Sequence, residues 1–242
     1  MKFLFFFCIW FPTLLWATEP LRVVYYDRYY PRSWMENGKM RGILIDIIDE
    51  AAVRRLGIPV IHSGYPWKRA QIMVEQQKAD AFVTLPTKER LAYTLASKVP
   101  VIEFSLRIIT RNNHPRLEAM KPITRLEELK GYKIVDYMGD GWAEKHLKEM
   151  DVEWLPKIDS IFPFLVVGRA DLAVASQRTL HVMQKMGYDS RLIVLPNKLS
   201  SVSFHLCIGT HSPYQKRLPD FDRVFKEMLR QGIIQQIENA YY

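Results

Sequence analysis

A hydroxyl, Thr84, and a guanidinium, Arg90, close the segment AFVTLPTKER at residues 81–90. Ala81, Phe82, Val83, Thr84 and Leu85 form the kind of short apolar run that a sheet covered on both faces uses. Pro86 ends that run, and Thr87 is placed to cap a helix carrying Arg90 in its first turn. Ligands of open parallel sheets sit beyond the carboxyl ends of the strands, so Thr84 and Arg90 read together as half of a small-molecule site. The preceding residues 66–78 supply a helix to support it. Trp67, Ala70 and Val74 fall on one stripe with Met73 beside them, and Lys78-Ala79-Asp80 breaks the pattern.

Hydrolytic and metal chemistry find no comparable support. Six histidines are present, none in a His-Glu-x-x-His pattern, and no Gly-x-Ser-x-Gly nucleophile elbow occurs. His62, His146, His181 and His205 read as structural residues, because isolated histidines do not make a metal site. No catalytic residue, metal ligand or cofactor is assigned.

Residues 1–17, MKFLFFFCIWFPTLLWA, carry one early cation, an apolar stretch from Phe3 to Trp16 and a small residue at Ala17, the pattern of a secretory leader. Pro12 interrupts the stretch, which favours a cleaved leader over an anchor. Cys8 lacks the preceding small residues of a lipoprotein cleavage site. Removal leaves about 225 of the 242 residues, with no second long apolar run and one cysteine, Cys207. The exported chain is therefore expected to be soluble, free of internal disulfides and stabilised by burial alone. Loss of Lys2 takes the formal charge from +8 to +7, and the remaining cations are scattered among acids. Pairs such as Arg54-Arg55 and Lys68-Arg69 lie in amphipathic sequence and form no nucleic-acid patch. The basic balance favours anionic ligands only weakly, since salt screens exposed charge.

The elements that must position Thr84 and Arg90 follow in order. Residues 21–26 form a β-branched and aromatic strand, residues 27–34 an aromatic-rich loop, and Asn37-Gly38 a turn. Ile43, Ile47, Ala51 and Leu56 mark a helix stopped by Gly57, and residues 59–62 begin a second strand. Strand, helix, strand, helix, strand with short connections indicates a parallel sheet covered on both faces. Two segments about a hundred residues apart alternate strictly instead: Ile102, Phe104, Leu106, Ile108 and Val202, Phe204, Leu206, Ile208, with polar residues and Cys207 between. Both read as strands with one wetter face. Between them come a capped helix at 123–131, a strand at 133–137, a Gly139-Asp140-Gly141 turn, helices at 142–150, 160–167 and 177–186, and a buried strand at 171–175. Residues 214–230 and 233–240 close the chain as helices separated by Gly232. Lys78-Ala79-Asp80-Ala81-Phe82 and Gly168-Arg169-Ala170-Asp171-Leu172-Ala173 share one logic, a helix end just before a short buried strand.

This organisation resembles the periplasmic solute-binding proteins of the amino-acid type, extracellular solute-binding protein family 3, over essentially the whole chain after the leader. The carriers are NGKMRGILID at 37–46, the segment 78–90, the helix 126–131 before a strand and glycine turn, GRAD at 168–171 and GII at 232–234. The resemblance implies a two-lobed α/β fold of periplasmic-binding-protein type II, crossed twice by the chain, with the two alternating segments as crossover strands. Lobe one would hold residues 18–107 and 205–242, and lobe two residues 108–204. A solute would bind in the cleft, where hinge closure excludes water and strengthens ion pairs.

Position by position, the family's carboxylate-gripping arginine matches Arg90, whose fork suits two parallel hydrogen bonds. Thr84 matches a hydroxyl or backbone position at the strand end, Trp67 an aromatic wall, and Tyr29 or Tyr30 the opposing wall. Gly139, Asp140, Gly141 and Trp142 match the lobe-two turn whose backbone N–H groups face an anion. Where the family commonly has an acid for the ligand ammonium, this chain has Ser176. Asp140 stands at a usual hydroxyl position and either replaces that charge or caps the helix. The loop between Asp80 and Arg90 is also shorter than usual. These departures argue against an ordinary α-amino acid and for a small polar or carboxylate solute. The implied partner is the permease of an ABC importer, with the mature protein a periplasmic monomer. A periplasmic enzyme of the cyclic-acid dehydratase type and a ligand-sensing module docked on a membrane receptor are the alternatives on this fold.

Overall fold

The computed structural model describes residues 19–176 and 179–241. The leader, the first two residues of the helix read at 177–186, the side chain of His181 and Tyr242 lie outside the described residues. The first half contains β1 (Leu21–Tyr26), β2 (Arg28–Tyr29), β3 (Ser33–Glu36), β4 (Lys39–Arg41), α1 (Ile43–Ile48), β5 (Val60–Tyr65), α2 (Trp67–Glu75), β6 (Ala81–Thr84), α3 (Lys88–Leu91), β7 (Thr94–Ala96) and β8 (Ile102–Arg111). The second contains α4 (Leu117–Met120), β9 (Ile134–Tyr137), α5 (Gly141–His146), β10 (Val152–Leu155), α6 (Ile161–Val166), β11 (Leu172–Ser176), α7 (Thr179–Lys185), β12 (Leu192–Val194), β13 (Ser200–Gly209), α8 (Leu218–Arg230) and α9 (Ile233–Asn239).

Two sheets are fused through a shared pair of long strands, in the order β10-β9-β11-β8-β13-β6-β1-β5, with β12 beside β8 and β7 beside β13. β1 pairs in parallel with β5 and β6, and β9 in parallel with β10 and β11. β8 and β13 are the crossovers. At about 3.3 Å per residue, a ten-residue strand is long enough to serve both sheets. β13 pairs with β8 from Ser200 to Phe204 and with β6 from His205 to Ile208. β8 pairs with β13 from Ile102 to Leu106 and with β11 from Leu106 to Thr110. Each lobe has its own apolar core: α1, α8 and α9 pack on β1 and β6 in one, while Met120, Leu129, Trp142 and Leu147 pack on β8, β9 and β11 in the other.

The alternation of β8 and β13 holds only near their mutual contact. Farther along, each strand runs between two neighbours and is covered on both faces, so Ile108, Ile109 and Thr110, and likewise Leu206, Cys207 and Ile208, are all buried. Cys207 is thus not on a wet face: it packs with Val24, Ala70, Val74 and Phe82, and burial pushes its thiol up to about 12. A second correction concerns residues 27–34. They form two strands of a small sheet, β2-β3-β4, whose β3–β4 turn uses positive φ at Asn37 and Gly38. The helix from Ile43 is also not uniform, since α1 runs on as a π-helical segment at Asp49–Arg55 before Gly57 ends it with φ 65.

The shared logic of the two halves has a physical cause. Asp80 accepts from the backbone N–H of Arg22, at 2.9 Å, and from its guanidinium. Asp171 accepts from the backbone N–H of Lys133, at 2.8 Å, from Arg116 at 2.7 Å, and bonds His114 at 2.9 Å. Each carboxylate thereby fastens the start of one parallel strand to the start of the next. Burial raises both pKa values, but the hydrogen bonds and cations outweigh it and hold both carboxyls below the usual range. Such groups stabilise the fold above their unfolded pKa of about 3.9, and that contribution is lost as pH falls through the folded pKa. Asp171→Ala should therefore cost about 2 kcal/mol at neutral pH by orphaning buried donors. Its deficit against the parent chain, followed by thermal unfolding, should shrink as pH drops below about 4.

Candidate functional site

A cavity of about 410 Å³ lies between the lobes, at the carboxyl ends of β1, β6 and β9. It is lined by all ten residues singled out in the sequence: Tyr29, Tyr30, Trp67, Thr84 and Arg90 from one lobe, and Gly139, Asp140, Gly141, Trp142 and Ser176 from the other. Phe104 and Phe204 reach it from the crossover strands. Tyr29 stands among Tyr26, Tyr137 and Phe204, with ring centroids 6.2, 6.4 and 6.4 Å away, and is a wall residue. Tyr30 meets Trp34 edge-on at 4.7 Å, and the Lys185 ammonium of the opposite lobe lies 4.0 Å from its ring.

Arg90 is buried where α3 begins, with Thr87 capping its backbone N–H as the sequence indicates. Its guanidinium donates to Gln71 Oε1 at 3.2 Å, Thr84 Oγ1 at 3.2 Å, the Leu85 carbonyl at 2.9 Å and the Gly139 carbonyl at 3.0 Å. Four of its five N–H groups thus have protein acceptors, and the fourth contact crosses between lobes. Trp67 adds to that crossing: Nε1 donates to the same Gly139 carbonyl at 2.8 Å, and Arg90 lies over the indole at 5.2 Å. The glycines permit this approach. A Cβ on Gly141 would lie 2.6 Å from Thr87 Cγ2 and 2.9 Å from Arg90 Nη1, and one on Gly139 would lie 2.9 Å from Trp67 Cδ1.

At the lobe-two turn expected to face an anion, the N–H groups of Gly139, Asp140, Trp142 and Ala143 have acceptors within the protein. Asp140 Oδ1 accepts from Trp142 and Ala143 N–H at 2.9 and 3.1 Å, capping α5, and Glu144 accepts from Gly139 N–H at 3.0 Å. The protein's own carboxylates occupy the place of an anionic ligand. Ser176 is buried, its hydroxyl 3.4 Å from that of Thr179.

Sequence reasoning missed Asp136 and Arg32. Asp136 lies under the cavity on β9, accepts from Tyr137 N–H at 2.7 Å, and is buried. Burial first, then the negative charge of Asp140, pushes its carboxyl well above the usual range. Burial also raises Asp140, although the N–H groups it caps and Arg90 oppose the shift. Arg32 sits in the wall formed by Tyr29 and Phe104. Only its place inside the aromatic run YYPRSW hinted at a role.

Two measurements follow from this geometry. Gly141→Ala should drive Arg90 and Thr87 away from the turn and separate the lobes, seen as a larger radius of gyration in solution scattering and red-shifted tryptophan emission, with each core intact. Asp136→Asn keeps the acceptor for Tyr137 but cannot ionise. A carboxyl raised in the folded state contributes stability below its unfolded pKa of about 3.9 that is lost as pH rises toward the folded value. The melting temperature of Asp136→Asn should therefore match the parent near pH 4 and exceed it at pH 7.

Several solved structures share this fold at low sequence identity. A histidine kinase sensor domain with similarity to periplasmic binding proteins superposes with a TM-score of 0.77 at 16% identity, over 93% of this chain and 96% of that one. ArtJ, the arginine-, lysine-, histidine-binding protein of Geobacillus stearothermophilus, gives 0.73 at 17% identity, over 93% and 95%. An ancestral amino acid-binding protein described as a precursor of cyclohexadienyl dehydratase gives 0.71 at 20% identity, over 92% and 95%. No curated protein matches the sequence. The two-lobed architecture with two crossover strands is thus that of the type II periplasmic binding proteins. The sequence matches the family model of the bacterial extracellular solute-binding proteins, family 3, over residues 21–242, and the chain belongs to that family.

Proposed function

We propose that this chain captures a small polar or carboxylate-bearing solute between its lobes and delivers it, as a periplasmic monomer, to the permease of an ABC importer. The observation that carries this reading is the cavity, walled from both lobes and of a volume that suits a small molecule. On this reading residues 18–107 with 205–242 and residues 108–204 move as two bodies about β8 and β13. Closure traps the solute as the Gly139 carbonyl meets Trp67 and Arg90. Tyr29, Tyr30 and Trp142 supply stacking surface, and Thr84, Ser176 and Asp140 supply polar atoms in the lining. Micromolar affinity requires about 8 kcal/mol, within reach of one charged contact plus stacking in a dry cleft.

The similarity to a histidine kinase sensor domain supports a second reading, in which the closed, loaded protein docks on a separate membrane receptor instead of a permease. Capture of one or the other on the ligand-loaded protein separates them. The primary test is a thermal-shift screen of the purified chain against amino acids, organic acids, amines and small peptides, with scattering on any hit. A hit should raise the melting temperature and reduce the radius of gyration, and Trp67→Ala should weaken it at least tenfold. A hit that binds without compaction would overturn closure about the crossovers, and conversion of the hit to product would replace transport with catalysis.

A further inference from the structure

We propose that Arg32, rather than Arg90, receives the negative end of the solute, which makes the cavity selective for a small carboxylate carried on an aromatic or other planar apolar body. This rests on the reading of the cavity as a solute site and adds the ligand class and the residue that selects it. Arg32 is 6% exposed, yet among the described residues its guanidinium has no hydrogen bond and no carboxylate partner, and Nη2 is a buried donor without an acceptor. Its charge rests against two rings, 4.0 Å from the centroid of Phe104 and 4.7 Å from that of Tyr29, both of which line the cavity. Aromatic faces attract a cation but accept none of its five N–H groups in the plane, so the site retains a directional, fork-shaped demand for an anion.

The backbone beneath Arg32 is built to hold it there. Its carbonyl accepts from Leu44 N–H at 3.0 Å and that of Pro31 from Ile43 N–H at 3.0 Å, so the loop is fixed to the start of α1. Ser33 Oγ donates to the Tyr26 carbonyl at 2.8 Å. Gly42, with φ 127, lies so close to the Arg32 carbonyl that a Cβ would overlap it. A fixed loop presenting an unpaired buried cation differs from Arg90, whose fork is already engaged by protein acceptors including Gly139. The remaining wall leaves less for an anion to bind: at the lobe-two turn the N–H groups of Gly139, Trp142 and Ala143 are taken by Glu144 and Asp140. The rings of Tyr29, Phe104 and Phe204, packed against one another beside Arg32, give the apolar wall against which the planar body of the ligand would lie.

Calorimetry with three matched probes, phenylacetate, phenylacetamide and phenethylamine, tests the assignment on the parent chain, Arg32→Met, Arg32→Gln and Arg90→Met. The parent should prefer phenylacetate over the amide by at least tenfold. Both Arg32 variants should bring that ratio to about one while melting at or above the parent temperature, since an unpaired buried cation is removed. Arg90→Met should weaken carboxylate and amide alike and keep their ratio. Retention of the preference in the Arg32 variants, its loss in Arg90→Met alone, or a lowered melting temperature with unchanged binding would each overturn Arg32 as the anion receiver. A parent chain that favours the amine or the amide would overturn it too while leaving a solute cleft in place. Failure of all three probes refutes the planar-carboxylate class, and failure of the wider thermal-shift screen as well refutes the solute reading beneath it.

Discussion

The carbonyl of Gly139 accepts hydrogen bonds from Trp67 and Arg90 at once, and these two bonds hold a lobe-two turn against the floor of lobe one. A carbonyl oxygen has two lone pairs, so the double contact is stereochemically satisfied, and the charged donor makes one of the two bonds stronger than an ordinary amide pair. Everything near the cavity is shaped around it. Glycines at 139 and 141 remove the side chains that would block the approach, Thr84, Leu85 and Gln71 orient the guanidinium, and Asp140 caps the helix that begins beside it. Further interlobe contacts, Arg28 with Asp159 at 3.4 Å and Ile158 N–H to the Tyr26 hydroxyl at 3.3 Å, are longer and more exposed or neutral, and add less.

Engaging Arg90 with the Gly139 carbonyl shapes the electrostatics of the cavity. Asp136 is buried and Asp140 partly buried on the lobe-two side, with both carboxyls pushed upward, while Arg32 is buried opposite without a counter-charge among the described residues. Uncompensated buried charge costs stability, and proteins keep it where function requires it. In a two-lobed binder the cost also has a mechanical use. On the binding reading proposed above, the unmet hydrogen bonds of Arg32 would disfavour an empty closed state, and a ligand that meets them would supply the differential affinity that shifts the population toward closure.

Outside the cavity the two lobes solve one problem twice. Asp80 and Asp171 each follow a helix end, enter a short buried strand and fasten the backbone N–H that begins a parallel strand beside it. These carboxylates are depressed and satisfied, the reverse of Asp136, although Asp80 is as buried as Asp136. Partners decide the difference: a guanidinium or imidazole and a backbone N–H around Asp80 and Asp171, and a single N–H with a neighbouring acid around Asp136.

The amino-acid order alone determined the parts of this molecule that depend on local rules. The strand 21–26, the helix ended by Gly57, the Thr87 cap before Arg90, the two long strands that alternate and the paired acidic elements are all legible, because periodicity, capping and glycine conformation act within a few residues. The cavity's ten expected residues are legible through resemblance, since a family's fold carries its cleft with it. What each does was decided by packing across distances the sequence does not show. Arg90 and Gly139 are 49 positions apart, and only the meeting of lobes shows that the residue expected to grip a carboxylate also ties them together. Cys207 lost its wet face because Ala70 and Val74 of α2 pack over it, and at the turn 139–142 Asp140 and Glu144 fold back onto three of the N–H groups expected to face an anion. Arg32 looks like one more cation in a basic chain until tertiary structure sets it between two rings and leaves it without an acid. Charge and hydrogen-bond satisfaction are properties of neighbours in space, and the fold alone brings those neighbours together.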